Sequence, residues 1–272
     1  MKIKILYEDS DILAIDKPSG ILVHPDGKSK PASTRDDSST RGGDKTILDL
    51  FIKKYKKVEI VHRLDKETSG VMLLAKNVKA HEFLKKQFSA PALRLKTKSG
   101  LADKQSRINK VYVAIVNGWV KNDHDIINKP IGRSPSDFRR RLAGRGARGE
   151  LREAITEYKV LKRLRLPINS DRKLMNSNIR KNQKRISDIG SFTFLEVKPK
   201  TGRTHQIRVH MKYINHPVVC DSLYNPNGPC PKGLKRLALH AKSIEFKNLK
   251  GKIIKVESLL PKEFEKVLKL QK

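Results

Sequence analysis

Carboxylates, aromatics and cysteines are all scarce in this chain, and each shortage excludes something. Asp and Glu number 28 against 60 Lys and Arg, leaving a formal net charge of +32 over 272 residues. So few acids, without the acidic cluster such sites require, argue against the carboxylate nest of a metal-dependent nuclease. The positive excess is spread along the whole chain rather than held in one tail. A solvated surface would account for some of it, but this magnitude favours a polyanion partner, because neutralising phosphates releases counterions. Nucleic acid is favoured over a membrane: no apolar run approaches bilayer length and no basic amphipathic anchor is present. Aromatics make up only 6%, which argues against a single-strand binder built on stacking platforms. Cys220 and Cys230 form neither a CxxC pair nor a zinc-type cluster, so two reduced thiols in a cytoplasmic protein are expected. The start, Lys2-Ile3-Lys4-Ile5-Leu6, is too short and too charged for a secretory signal. There is no Walker P-loop and no Rossmann glycine fingerprint, and no metal or other cofactor is expected.

What is present reads as α+β. Residues 3–7 and 12–16 read as strands joined by a Glu8-Asp9-Ser10 turn, and Lys17-Pro18-Ser19-Gly20 ends the second. Helices are predicted over 46–56, 78–88, 204–213 and 261–270. Strands are predicted over 71–75, 110–118, 155–161, 191–199, 237–246 and 252–257. Residues 28–45 and the Arg- and Gly-rich stretch 132–149 read as loops, the latter equally suited to clamping RNA. Residues 90–107 and 169–188 read as flexible inserts in a single domain spanning 1–272. Neighbouring strands with short turns point to a largely antiparallel sheet rather than βαβ winding.

Three segments carry the chemistry. His62-Arg63-Leu64-Asp65-Lys66-Glu67-Thr68-Ser69-Gly70 sets one carboxylate, Asp65, between basic residues and a small-residue turn, directly before the apolar run 71–75. A loop acid held against a buried strand suits a positioned catalytic group, although an isolated Asp beside Arg is more often an ion pair or a cap. Thr201-Gly202-Arg203-Thr204-His205-Gln206-Ile207-Arg208-Val209-His210 is the second. Its histidines are five apart, on different helix faces, with no carboxylate beside them, so a metal pair is a poor reading. Lys110-x-Tyr112-x-Ala114 is the third; a strand Tyr is usually core.

Together these segments resemble the RluA-type pseudouridine synthases. The first matches the family's HRLD-x-x-TSG signature position for position, the second its GRTHQIR segment, the third its K-x-Y-x-A strand. Weaker likenesses follow in the same order: Asp16-Lys17-Pro18-Ser19-Gly20 with Val23-His24-Pro25, then His216-Pro217-Val218-Val219-Cys220-Asp221-x-x-Tyr224, then Leu239-His240-Ala241. The likeness covers nearly the whole chain but not the small N-terminal S4-type module of many relatives. Asn215 and Cys220 stand where glycines are usual, which implies slightly different turns there.

The resemblance implies a mixed, mainly antiparallel sheet with flanking helices and a central active-site cleft. It implies isomerisation of uridine to pseudouridine in structured RNA, with ribosomal RNA favoured, transfer RNA as the alternative, and no cofactor. Asp65 would be catalytic, by attack on C1′ or by removal of the 2′ proton. Arg208 would pair with it, favouring the ionised carboxylate and fixing its orientation. Tyr112 would stack on the uracil or help shed the C5 proton. His62, Arg63, Thr68, Arg203, His205 and Gln206 would bind substrate. A monomer is the default. The competing class is a non-catalytic RNA-binding or ribosome-assembly protein, which would not need Asp65, Tyr112 and Arg208 together.

Overall fold

The computed structural model describes residues 3–25, 45–89, 108–169 and 189–270. The polar loop read over 28–45 and the inserts read over 90–107 and 169–188 therefore lie almost entirely outside the described residues. The chain gathers into two compact units, one of residues 1–110 and 241–259, the other of residues 111–240 and 260–272.

In the first unit β1 (Lys4–Glu8) and β2 (Ile12–Lys17) form the expected hairpin. Its turn closes on Asp9, whose carboxylate accepts the Asp11 and Ile12 N–H groups at 2.8 and 2.7 Å and the Tyr7 hydroxyl at 2.6 Å. β3 (Glu59–Ile60) and β4 (Ser69–Ala75) follow, and β2 pairs antiparallel with β4, Lys17 facing Gly70. The strand order is β1-β2-β4-β12, where β12 is Leu239–Lys247, with β3 beside β4 and β13 (Ile253–Glu257) beside β12. Every residue of β4 is buried, which is why it reads as a continuous apolar run rather than an alternation. Gly70 has φ +110°, and a Cβ there would run into the Ala241 carbonyl of β12, so only glycine fits.

Helix α1 (Ile47–Ile52) starts on a capping box between Thr46 and Asp49. It stops short of the predicted Lys56, because beyond Ile52 only Tyr55 interrupts exposed lysines and no apolar residue draws the next turn inward. α2 (Val78–Ser89) starts where Asn77 Oδ1 accepts the Ala80 N–H at 2.8 Å, and buries Ala80, Leu84 and Gln87.

Two polar groups, Lys17 and the half-buried His62, lock the Asp65 turn to this unit. Lys17, fully buried, donates from Nζ to the carbonyls of Pro18, Lys66 and Thr68 at 3.0, 3.0 and 2.8 Å. His62 stacks on Phe88 at 4.5 Å between centroids, and its Nε2 accepts the Leu73 N–H at 2.9 Å. An imidazole that accepts at Nε2 is neutral, and burial pushes its pKa down to about 3.

In the second unit the strand order is β5-β11-β10-β6, antiparallel throughout: β5 (Asn109–Asn117, from Val111 on), β11 (Ile189–Pro199), β10 (Ile155–Pro167) and β6 (His124–Asn128). β10 runs six residues past the predicted end. A register shift between Val160 and Lys162 turns Leu161 outward, leaving Leu164 and Leu166 buried, so the period-2 pattern breaks midway. Helix α3 (Gln206–Tyr213) packs Ile207 and Met211 into the core, and α4 (Lys262–Lys269) adds Phe264 and Val267.

Two expectations are overturned. Residues 132–149 are not a loop: β7 (Ile131–Arg133), β8 (Arg141–Ala143) and β9 (Arg148–Arg152) form a small antiparallel sheet in the order β8-β7-β9. Its only buried apolar side chains are Ile131 and Ala143, too few for a strand pattern to be legible. Cys220 and Cys230 are joined as a disulfide rather than reduced, with Cα atoms 5.4 Å apart.

Replacing Lys17 by Met should leave carbonyls under the Asp65 turn unsatisfied and cost about 3 kcal/mol, read as a lower urea midpoint. The neutral histidines set a second expectation. His62 has its folded pKa depressed, and burial also lowers that of His210. Their contribution is therefore complete above the unfolded histidine value near 6.5 and is lost as pH falls below it. Urea midpoints should drop from pH 7 to pH 5, by at most about 1.4 kcal/mol per pH unit for each histidine, and His62→Phe should flatten the fall.

Candidate active site

Asp65 lies half-buried in the turn between β3 and β4. The Thr68 N–H closes that turn on the Asp65 carbonyl at 3.1 Å. The three carbonyls that follow are all taken. Lys66 O receives the Gly20 N–H at 2.8 Å as well as Lys17, Glu67 O receives the Ser19 hydroxyl at 2.6 Å, and Thr68 O receives Lys17. The Lys17-Pro18-Ser19-Gly20 segment is thus a clamp on the backbone beside Asp65. Leu64, 5% exposed, anchors the other side. Arg63 is exposed to solvent. The Thr68 hydroxyl is buried and, among the described residues, has no hydrogen-bond partner.

The GRTHQIR segment is built into the second unit by its glutamine. Gln206 Oε1 accepts the Thr201 hydroxyl at 2.6 Å and the Arg203 N–H at 2.9 Å, while Nε2 donates to Ile155 O and Thr156 Oγ1 at 3.0 and 2.9 Å. This consumes the amide, so its visible work is to fasten α3 to β10. Arg203 is half-buried and donates from Nε to Glu153 O at 2.8 Å. His205 sits before the helix in a left-handed conformation, φ 57°, which is why α3 begins at Gln206 and not at Thr204. His210 binds Thr156 Oγ1 through Nδ1 and Lys129 O through Nε2, at 2.8 and 3.0 Å, and is fully buried.

Arg208 has a partner that sequence reasoning does not name. Its Nε and Nη2 donate to the two carboxylate oxygens of Asp221, each at 2.7 Å, with the carboxylate wholly buried and Arg208 only 4% exposed. Such a bidentate fork fixes the guanidinium plane. Asp221 Oδ1 also accepts the Leu223 and Tyr224 N–H groups at 2.9 Å. Tyr224 lays its ring against the guanidinium, 5.1 Å from centroid to Cζ. Both residues stand in the segment after His216, which carries only a weaker family likeness, and a buried acid three residues before a Tyr gives no chemical signal by itself. Tyr112 lies on β5, half-buried and opposite Val197 of β11.

The turns at Asn215 and Cys220 do not differ in the way their missing glycines imply. Both residues take positive φ, 63° and 56°, so the left-handed backbone is kept without the residue that adopts it most easily.

The structure thus groups His62, Arg63, Asp65 and Thr68 on one unit, and Tyr112, Arg203, His205, Gln206 and Arg208 on the other. Among the described residues no helix is long and apolar enough to cross a membrane, and no three His, Cys, Asp or Glu side chains cluster as a metal site would need.

Residues 11–213 match the RNA pseudouridylate synthase family. A ribosomal large subunit pseudouridine synthase D of Borreliella burgdorferi is 32% identical over 275 residues, covering 96% of this chain and 66% of that protein. One from Xanthomonas campestris is 31% identical over 278 residues, covering 98% and 68%. The chain therefore spans about two thirds of the length of these curated relatives. The solved structure of human RNA pseudouridylate synthase domain containing 4 superposes with a TM-score of 0.63, 23% identity and coverage of 97% and 91%, a likeness of fold. On the family match and on these relatives, the chain belongs to the RNA pseudouridylate synthases.

Proposed function

We propose that this chain isomerises specific uridines to pseudouridine in structured RNA, with Asp65 as the catalytic carboxylate. The observation that carries the reading is the clamp on the Asp65 turn, where Lys17, Ser19 and Gly20 hold three consecutive carbonyls. A solvated ion pair needs no such support, whereas a reacting group must be held within a fraction of an ångström.

The reaction breaks N1–C1′, turns the uracil and forms C5–C1′. C5 loses a proton and N1 gains one, so nothing is oxidised or reduced and no metal, redox partner or ATP is called for. The target base must leave its stack to reach a side-chain carboxylate. In this reading Arg208, already oriented by Asp221, fixes the Asp65 carboxylate, and Tyr112 offers a flat ring and a phenolic hydroxyl to the uracil. The RNA backbone is drawn to the small β7–β9 sheet, where Arg133, Arg139, Arg145, Arg148 and Arg152 are exposed. Large-subunit ribosomal RNA is the favoured target, supported by the names of the relatives and by the net charge of +32.

Tritium release from RNA labelled at C5 of uridine reports the reaction, because the C5 hydrogen is expelled. Asp65→Asn should lower release by at least about 100-fold while RNA binding survives; release near the wild-type rate would remove Asp65 from the chemistry. Ribosomal and transfer RNA pools run separately identify the substrate class, and binding without release from either would point to an assembly factor. Replacing Arg145 and Arg148 together by Ala should weaken RNA binding and flatten its salt dependence, the slope of log K against log salt falling by about 0.7 to 0.9 for each phosphate no longer neutralised.

A further inference from the structure

Tyr224 stands where three parts of the second unit meet. Its ring faces the Arg208 guanidinium at 5.1 Å. Its hydroxyl accepts the backbone N–H of Arg141, in β8 of the arginine-rich sheet, at 2.9 Å. The same hydroxyl lies 3.0 Å from His205 Nδ1 at the start of α3, and the two rings meet edge to face at 5.6 Å. Around it Ile131, Ala143 and Ala154 from the small sheet and its exit, and Val209 from α3, form one apolar cluster to which Tyr224 belongs. Tyr224 is 6% exposed, and its own backbone N–H is held by the Asp221 carboxylate that grips Arg208. A buried phenol with a ring task on one side and a hydroxyl task on the other is more than core filling.

We propose that Tyr224 is a positioning residue with two separable functions: its ring orients Arg208, and its hydroxyl seats the β7–β9 sheet on which the RNA backbone rests. The inference rests on the roles proposed for Arg208 and for the small sheet. The ring supplies a negative face to a guanidinium already pinned edge-on by Asp221, so rotation about the fork is blocked on that side. The hydroxyl ties the first residue of β8, where nothing else in the sequence makes a strand, to the helix that carries Arg208. Sheet and guanidinium are thereby registered to each other through one side chain.

Two substitutions separate the functions. Tyr224→Phe keeps the ring and removes both hydroxyl hydrogen bonds; Tyr224→Leu removes ring and hydroxyl. In the tritium-release assay Tyr224→Phe should raise KM for RNA by about fivefold with the smaller effect on kcat. Tyr224→Leu should raise KM similarly and lower kcat by about tenfold, so that Phe rescues kcat relative to Leu. Equal kcat in the two variants would overturn the ring's role, and an unchanged KM in Tyr224→Phe would overturn the hydroxyl's. A second readout does not depend on activity. In arginine-labelled protein the Nε–H resonance of Arg208, identified by its disappearance in Arg208→Lys, should keep its ring-shifted position in Tyr224→Phe and move in Tyr224→Leu. A resonance that stays put in Tyr224→Leu sinks the positioning claim whatever the RNA assay gives. Wild type without tritium release, alongside a resonance that moves as expected, would instead fault the assigned reaction and leave the packing of Arg208 against Tyr224 standing.

Discussion

A buried ammonium governs the turn that bears Asp65. Lys17 donates to three main-chain carbonyls, two of them in the turn that follows Asp65. Burying a charge is costly unless it is fully hydrogen-bonded, and three carbonyls at 2.8 to 3.0 Å meet that condition. The arrangement is self-consistent in both directions. The ammonium needs the turn's carbonyls to tolerate burial, and the turn needs the ammonium because its carbonyls face inward, away from water. β2 places Lys17 opposite Gly70, and only glycine at that position lets β4 approach the Ala241 carbonyl. The Asp65 turn is therefore set by sheet register, the most rigid element available, and not by its own sequence.

The second unit solves a similar problem with an ion pair. Arg208 and Asp221 are both out of water, and such pairs commonly contribute little net stability, since desolvation offsets their attraction. Apolar residues of similar volume would serve the core as well. What they would not supply is direction. The fork to Asp221 fixes the guanidinium plane, and the two N–H groups from Leu223 and Tyr224 fix the carboxylate in turn. His210 is bound at both ring nitrogens. Because Lys129 O can only accept, Nε2 carries the proton, and the Thr156 hydroxyl, itself accepting from Gln206, donates to Nδ1. The helix bearing Arg208 is thus tied to β10 and to the Lys129 backbone by a continuous chain of donors and acceptors.

How legible each part is in the sequence depends on the kind of signal its residues leave. β4, β5 and β11 are apolar runs with β-branched residues, and their existence can be read directly. α4 is legible from Pro261 and its apolar spacing. The sequence pattern ends β10 too early because a register shift sets Leu161 outward and Lys162 and Arg163 follow it, interrupting the apolar alternation before Leu164 and Leu166 resume it. β8 and β9 escape it because Leu142, Ala143 and Leu151 are their only apolar side chains and β9 is exposed throughout, so the strands are made by backbone pairing to β7 and by Ala143, Ile131 and Tyr224 beneath. The candidate residues are legible through family likeness, but their division of labour is not. Gln206 and His62 carry groups that would suit a ligand, yet their hydrogen bonds spend them on the fold. Lys17 and Asp221, which do the holding, are ordinary charged residues in a chain full of charge. Burial separates them from the others, and burial is not visible in composition.

The left-handed residues show the same division in energetic terms. His205, Asn215 and Cys220 take φ values near +60° without being glycine, and each such residue costs on the order of 1 kcal/mol. They are not scattered: His205 precedes the helix of Arg208, Asn215 follows it, and Cys220 precedes Asp221. A strained conformation persists only where its surroundings over-determine it, and the bonds around these positions do so. His205 is held by the Tyr224 hydroxyl, Asn215 donates its N–H to Lys212 O at 3.0 Å, and Cys220 is joined to Cys230. The strain brackets the Arg208–Asp221 pair along the chain. The left-handed His205 fixes where α3 starts, and the left-handed Asn215 turns the chain just after it ends. The cost in stability is thus coupled to one geometric result, a guanidinium held in a single orientation.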